Sequence, residues 1–229
     1  MARPTLTDAQ VEAGKQRLSA LALQVYRSKG YRAVTLRELA ALAGISYATP
    51  YRYFRSKDEL FDHVRATVFT EFGEHLKMAD SGDEPLVRLR SIVEAVVDFA
   101  ERRPDDYRLI FGMRQVPPAR GSMLDAAQKR VAKHVVSVCQ AAVDAGQLQG
   151  DPLTLAHLAW ASIHGLLSLH VSSLLRLGRK LDDLIPPLLD RLFPPSATST
   201  PGKGTSGAAT NKRRKSRSTS SSRSASTRR

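Results

Sequence analysis

An all-α fold is predicted for this chain on three observations. Apolar residues recur three and four apart over most of its 229 residues, the spacing of helices buried along one face. No stretch alternates apolar and polar side chains as a half-buried strand does. Gly, Pro and Ser/Thr/Asp residues also fall between the periodic segments, where helices stop and start.

The first helix is expected from about Asp8 to Lys29, capped by Thr7 or Asp8 and stopped by Gly30. Val11, Leu18, Leu21, Ala22 and Val25 form its apolar stripe. Thr35 with Glu38 spells a capping box for the second helix, where Leu36, Leu39, Ala40 and Ala43 share one face. Gly44 stands where a left-handed residue ends that helix. Ser46 then caps a third helix of about seven residues, too short to be stable alone. Ser56 with Glu59 spells the box that opens a fourth, from Lys57 to about Ala79. Two short helices around a Gly turn, flanked by longer ones, are a helix-turn-helix, suited to presenting one helix to a DNA major groove.

A loop at residues 80–83 precedes a helix opened by Pro85, with Leu86, Leu89, Ile92, Val93, Val96, Val97 and Ala100 on its apolar face. A short helix covers Pro104 to Gly112, and Pro117-Pro118 breaks the chain. The next helix spans about Ser122 to Gly146. The most apolar one runs from Asp151-Pro152 to about Leu177 and is ended by Gly178. A last helix covers about Asp182 to Phe193. Its Pro186-Pro187 pair is expected in the first turn, which places the regular helix start near Asp183.

The net charge of +13 is unevenly spread. Residues 1–64 carry ten Lys/Arg against six Asp/Glu, residues 65–194 carry sixteen of each, and residues 195–229 carry nine Lys/Arg and no acid. That last segment has no bulky apolar residue and is expected to be disordered. Cys139 is alone, so no internal disulfide forms, in keeping with a reducing compartment. No apolar run approaches the ~20 residues of a membrane span, and no leader is expected at the N-terminus, so a cytoplasmic protein with no membrane partner is expected. There is no Ser nucleophile elbow, phosphate-binding Gly loop or paired zinc-type histidines, so no catalytic residue, metal site or cofactor is expected.

Gly30-Tyr31, Val34-Thr35-Leu36, Leu39-Ala40, Ala43-Gly44-Ile45-Ser46, Tyr51-Arg52-Tyr53-Phe54 and Ser56-Lys57-Asp58-Glu59-Leu60 follow one another as in the TetR (tetracycline-repressor-like) family. The segment resembles that family over roughly residues 7–64. Pro50 departs from the Leu or Val of many relatives; in the first turn of its helix it is expected to cost little. The resemblance implies a homodimeric transcriptional regulator, most often a repressor released from a palindromic operator on double-stranded DNA by a small, mainly apolar effector. It implies residues 1–56 as DNA-binding domain and 57–194 as effector-binding and dimerisation domain, with 195–229 as a tail. It also implies a role for each matching position. Thr35 resembles a phosphate contact, and Arg37 reaches a base or phosphate. Ser46, Tyr47, Ala48 and Thr49 open the recognition helix, Tyr51 and Tyr53 clamp the backbone, and Lys57 resembles the phosphate-binding lysine. Half-sites are expected about one helical turn, ~34–36 Å, or a multiple apart.

Ala145-Gly146, Asp151-Pro152, Leu158-Ala159-Trp160 and Ile163-His164-Gly165-Leu166 resemble the C-terminal domain of the family named for its Trp, His and Gly; the stretch Pro104 to Phe111 also fits. His157, Trp160 and His164 fall on one helical face. They are read as internal packing, as the wall of an effector pocket with Tyr107, Phe111 and Met113, or as a metal site for which no further ligands are in view. Cys139 is expected in the core. The basic tail, with Lys212-Arg213-Arg214-Lys215 and Arg217, suggests non-specific phosphate contact, a localisation signal or a solvated tail. Rival readings of the whole chain are an architectural DNA-coating protein acting through that tail and an enzyme on a helical bundle.

Overall fold

The computed structural model describes residues 7–112, 117–176 and 178–194. Met113, Leu177 and the whole basic tail, Lys212-Arg213-Arg214-Lys215 and Arg217 included, lie outside the described residues. Eight α-helices and no strand occur among them: α1 (Asp8–Lys29), α2 (Leu36–Leu42), α3 (Lys57–Ala79), α4 (Pro85–Arg102), α5 (Pro104–Tyr107), α6 (Met123–Asp144), α7 (Pro152–Val171) and α8 (Leu181–Leu192).

The long helices begin where their caps dictate. Thr7 and Gln10 cap α1 reciprocally, with Gln10 N donating to Thr7 Oγ1 (3.2 Å) and Thr7 N to Gln10 Oε1 (2.9 Å). Gly30 ends α1 at φ 78°, left-handed backbone that glycine adopts without steric cost. Ser56 caps α3 by accepting from Glu59 N (3.2 Å), Ser122 caps α6 through Asp125 N, and Asp151 caps α7 through Thr154 N. The two boxes at Thr35 and Ser56 are half made. Glu38 lies 3.5 Å from Lys29 Nζ, and Glu59 accepts from Arg55 N (2.8 Å), one residue before the cap.

Residues 46–53 depart from expectation. They form a turn and a 3-10 helix, Pro50–Arg52, where a seven-residue α-helix capped by Ser46 is predicted. Pro50 is the reason. With Ser46 as cap, the first α-type bond would run from the residue-50 N–H to Ser46 O, and proline has none. Thr49 N donates to Ser46 O instead (2.9 Å), and Arg52 N to Thr49 O (3.0 Å), so the tighter turn propagates. The Ser46 hydroxyl pairs with Thr49 Oγ1 at 2.8 Å and caps no helix.

Two further boundaries move. Helix α7 stops at Val171, six residues short of the predicted end, because Ser173 takes φ 57° and the chain closes on itself, with Ser173 N donating to His170 O (2.9 Å) and Leu174 N to Leu169 O (2.7 Å). Helix α8 begins at Leu181, which puts Pro186 and Pro187 inside it and not in its first turn. The carbonyls those prolines leave without donors belong to Asp182 and Asp183, both exposed and open to water. Burial of Leu181, Ile185 and Leu189 holds the helix in place, and Arg90 donates to Phe193 O (2.8 Å) and Asp190 (2.6 Å).

One core runs the length of the described chain. Helix α3 is its spine. The N-terminal half of α3, with buried Leu60, Phe61 and Val64, packs against α1, and its C-terminal half, with buried Val68, Phe72 and Leu76, packs against α4 and α6. Cys139 is fully buried on α6, and burial pushes its thiol up to about 11, which leaves it an inert core residue.

Candidate nucleic-acid interface and ligand cavity

The first candidate site is the surface over α2 and the 3-10 turn. Beneath it Val34, Leu39, Ala40 and Phe54 are buried to 1% exposure or less, so the surface rests on a rigid floor. Thr35 caps α2, its hydroxyl accepting from Glu38 N (3.0 Å). Arg37 stands exposed on the first turn with its guanidinium 5.0 Å over the Tyr47 ring. Tyr47 and Tyr51 are 57% and 61% exposed, unusual for rings in a monomer with ample core. Ala48 is exposed beside them and Thr49 half-buried. Arg17, from α1, donates to Ala43 O at 2.8 Å and pins the C-terminus of α2.

Two expected contacts are turned inward. The Tyr53 ring lies against α1 at Gly14, where a Cβ would come within 2.5 Å of it, so the smallness of Gly14 makes its seat. The Lys57 ammonium donates to Tyr31 O at 2.5 Å and sits 3.9 Å over the Tyr31 ring. Loss of water pushes its pKa down. Tyr31 in turn donates to Asp58 (3.1 Å). Lys57 thus ties the start of α3 to the turn after α1.

The second site is a cleft of about 480 Å³, open to solvent on one side and bordered by α3, α6, α7 and the π-helical turn Arg108–Gly112 that continues α5. Its aromatic wall is centred on Phe111, with ring centroids 5.2 Å from Phe69, 5.5 Å from Phe72 and 4.8 Å from Trp160. Its polar groups are Gln128 on α6 and, on α7, His157 and the indole N–H of Trp160. Of the expected lining residues, Phe111, His157 and Trp160 face this space. Tyr107 and His164 stand behind it: Tyr107 Oη and His164 Nδ1 share a hydrogen bond of 2.7 Å, and Trp160 stacks on His164 at 5.2 Å and 16°. Burial raises the Tyr107 pKa and lowers that of His164. The α6 wall, Gln128, Val131, Val135 and Val136, escaped the sequence reading. Its three-and-four spacing is visible in the sequence, but spacing does not say whether a face meets core or a void. No cluster of three or more His, Cys, Asp or Glu able to hold a metal occurs among the described residues.

Between the two sites lies Asp106, 1% exposed. It accepts from Arg27 Nε (2.8 Å) and Nη2 (2.7 Å) at the end of α1, and from Arg103 Nε (2.5 Å). Arg103 also reaches Glu71 on α3 (2.5 Å), and Tyr26 donates to Asp105 O (3.3 Å). Arg108 reaches Val171 O on α7 (2.5 Å). Residues 104–112 therefore touch α1, α3, α7 and the cavity.

With this geometry in hand, the likeness to known proteins is specific. The description "Bacterial regulatory proteins, tetR family" matches residues 18–64, and "Tetracyclin repressor-like, C-terminal domain" matches residues 89–192. The second match names the C-terminal domain at that level, without the finer Trp-His-Gly subgroup. Nucleoid occlusion factor SlmA of Pasteurella multocida is 30% identical over 105 residues, 44% of this chain and 51% of that protein. SlmA of Colwellia psychrerythraea is 38% identical over 101 residues, 42% and 49% of the two chains. The chain spans about half the length of these curated relatives. Among solved structures, a protein of unknown function from Rhodococcus sp. RHA1 superposes with TM-score 0.69 at 25% identity, covering 78% of this chain and 93% of that one. AibR in complex with isovaleryl coenzyme A and operator DNA shares the fold at TM-score 0.58 and 19% identity, covering 79% and 98%. The two family matches lie in order along the chain, one on the capped helices under the tyrosine surface and one on the helices around the cavity: the chain belongs to the tetR family of bacterial regulatory proteins.

Proposed function

We propose that the protein is a sequence-specific transcriptional regulator that binds a palindromic operator as a homodimer and is released by a small, mainly apolar ligand. The observation that carries this reading is the exposed Arg37–Tyr47–Tyr51 surface, held on a buried floor inside the segment that matches the family's DNA-binding description. Residues 1–56 are the DNA-binding part, 57–194 the ligand and dimer part, and the basic 195–229 an accessory that contacts phosphates without sequence preference. Thr35, Arg37, Ser46, Tyr47, Ala48, Thr49 and Tyr51 form the DNA-facing surface. Tyr53 and Lys57 support it from within and reach the backbone only by leaving Gly14 and Tyr31. The outer face of α7, with exposed Leu158, Ala161, Ser162, Gly165 and Leu169, supports pairing with a second copy. Such a protein works in the bacterial cytoplasm, on the nucleoid, and catalyses nothing. The family's regulatory domains support this, and no helix of the described residues is long and apolar enough to cross a membrane.

Release follows from differential affinity. A ligand that binds better to a conformation whose two DNA-facing surfaces no longer match the half-site spacing lowers operator affinity by the same factor. Residues 104–112 offer the route, because Phe111 lines the cavity and Asp106, five residues away, holds the end of α1. Selection from random duplex DNA, with full-length and 1–194 proteins in parallel, tests the reading. One palindrome enriched by both proteins supports it. Binding without sequence preference that vanishes with the tail would instead indicate a DNA-coating protein. Within the regulator reading, Tyr51→Ala with Lys57→Ala abolishes operator binding while helicity and dimerisation persist.

A further inference from the structure

We propose that the cavity takes an uncharged, flat aromatic ligand bearing one hydrogen-bond donor, such as a phenolic hydroxyl or an aryl N–H. This deepens the effector reading above and rests on it for the role of the cavity. Three features carry it. Four aromatic side chains, Phe69, Phe72, Phe111 and Trp160, line the space, three of them ranged around Phe111 at 4.8–5.5 Å between centroids. Their rings present edges and faces at the separations at which a further ring packs edge-to-face or offset-stacked. The described lining contains no Lys, Arg, Asp or Glu. A carboxylate, phosphate or ammonium entering it would give up water with no opposite charge to replace it. A pyrophosphate-bearing ligand is disfavoured on the same ground.

The polar end is set by His157. Its Nδ1 lies 2.8 Å from Leu153 O, and a carbonyl oxygen can only accept, so the proton is on Nδ1. In the tautomer protonated at Nδ1, Nε2 is the acceptor. His157 is exposed at the cavity rim, and Gln128 supplies a carboxamide from α6. A ligand with its ring against Phe111 and Trp160 and a donor toward the rim satisfies both the apolar wall and the imidazole.

Trp160 is the single tryptophan of the chain and lines this space, so binding has a built-in reporter. The full-length protein is titrated with N-phenyl-1-naphthylamine, neutral and carrying one N–H, and with 8-anilinonaphthalene-1-sulfonate, the same ring system with an anionic group. The expected result is saturable binding of the neutral probe with energy transfer from Trp160, and affinity for the sulfonate lower by tenfold or more. His157→Leu weakens the neutral probe about fivefold, the scale of one hydrogen bond. Ala132→Phe, which fills the cavity from α6, abolishes binding; an unchanged thermal midpoint shows that it folds. Sulfonate binding equal to or tighter than the neutral probe overturns the proposed class while leaving a ligand site. Absence of saturable binding by either probe, or binding indifferent to Ala132→Phe, overturns class and site together. Neutral-probe binding that leaves operator affinity unchanged keeps the class and removes the effector reading.

Discussion

At the helix-turn-helix end, Val34, Leu39 and Ala40 have no exposed surface, and every turn there is closed by a cap or a backbone bond. At the opposite end, α3, α6 and α7 border an open space of about 480 Å³, with Val131, Val135 and Trp160 only partly covered. One end is packed so that a surface stays rigid, and the other is left unfilled so that something can enter. The price of the second arrangement is the dispersion and burial energy that a filled cavity would add. A regulator needs both, because a rigid reader cannot respond and a loose one cannot specify.

Substitutions that change side-chain volume separate the two ends most sharply. Leu39→Ala is expected to cost about 2–5 kcal/mol, since the void it leaves is enclosed by fixed neighbours. Ala132→Leu, pointing into the cavity, is expected to change stability by no more than about 0.5 kcal/mol. Urea unfolding of both variants measures the contrast, and a similar cost at both sites would erase it.

The joint between the ends comes next. Asp106→Asn leaves Arg27 and Arg103 without their shared carboxylate. The Arg27 side chain is 44% exposed and regains water, so a loss of about 2 kcal/mol is expected, below the ~3–5 kcal/mol of a fully buried pair. Ligand-induced release from operator DNA should fade in the same variant, while binding to the cavity persists.

A smaller effect isolates the reading surface. Gly14→Ala drives a methyl to within 2.5 Å of the Tyr53 ring, which must move. The gain in helix propensity, about 1 kcal/mol, roughly offsets the displaced packing, so stability stays level. Operator affinity drops about tenfold, on the scale of ~1–1.5 kcal/mol, because the displaced ring no longer supports the DNA-facing surface from within. An affinity that rises would instead show that Tyr53, once freed from Gly14, reaches the backbone. Calorimetry beside an electrophoretic shift assay distinguishes the two quantities.

The smallest effect is the response to acid. His63 donates to or accepts from Ser19 Oγ at 3.0 Å, with Glu12 3.7 Å away and Lys15 adding repulsion, and burial outweighs Glu12 and holds its pKa below the ordinary 6.5. The unfolded chain therefore binds this proton more readily. The associated stability is complete above about pH 6.5 and falls as the pH drops through the folded value. His164 is shifted in the same direction by burial and adds to the slope. His63→Gln should flatten the urea midpoint between pH 5 and 7; an unchanged slope would assign it to other groups.

Where helix boundaries depend on neighbours in sequence, they were legible. Thr7, Gly30, Ser56 and Pro85 each set an end of α1, α3 or α4 at the residue expected. Pro50 shows the limit of that logic: placing it in a first turn suggested a small cost, yet it occupies the position whose N–H makes the first α-type bond. At α8, packing overrode local preference, because buried Leu181, Ile185 and Leu189 hold a helix through two prolines. At α7, Ser173 took the left-handed turn that Gly178 was expected to supply. Among site residues, the exposed tyrosines follow from the motif, whereas the inward turns of Tyr53 and Lys57 do not.

The helices other than the one expected after Ser46, the family's ordered motif and the acid-free basic tail were determined by the amino-acid sequence alone, because each rests on spacing or composition within a few tens of residues. Only the tertiary structure decided that Asp106 clasps Arg27 across 79 positions, that Gly14 seats Tyr53, and that Val131 and Val135 border a void and not a core. Such pairings depend on how helices cross. A helix's own periodicity says which face is apolar, and only the neighbouring helices say what that face meets.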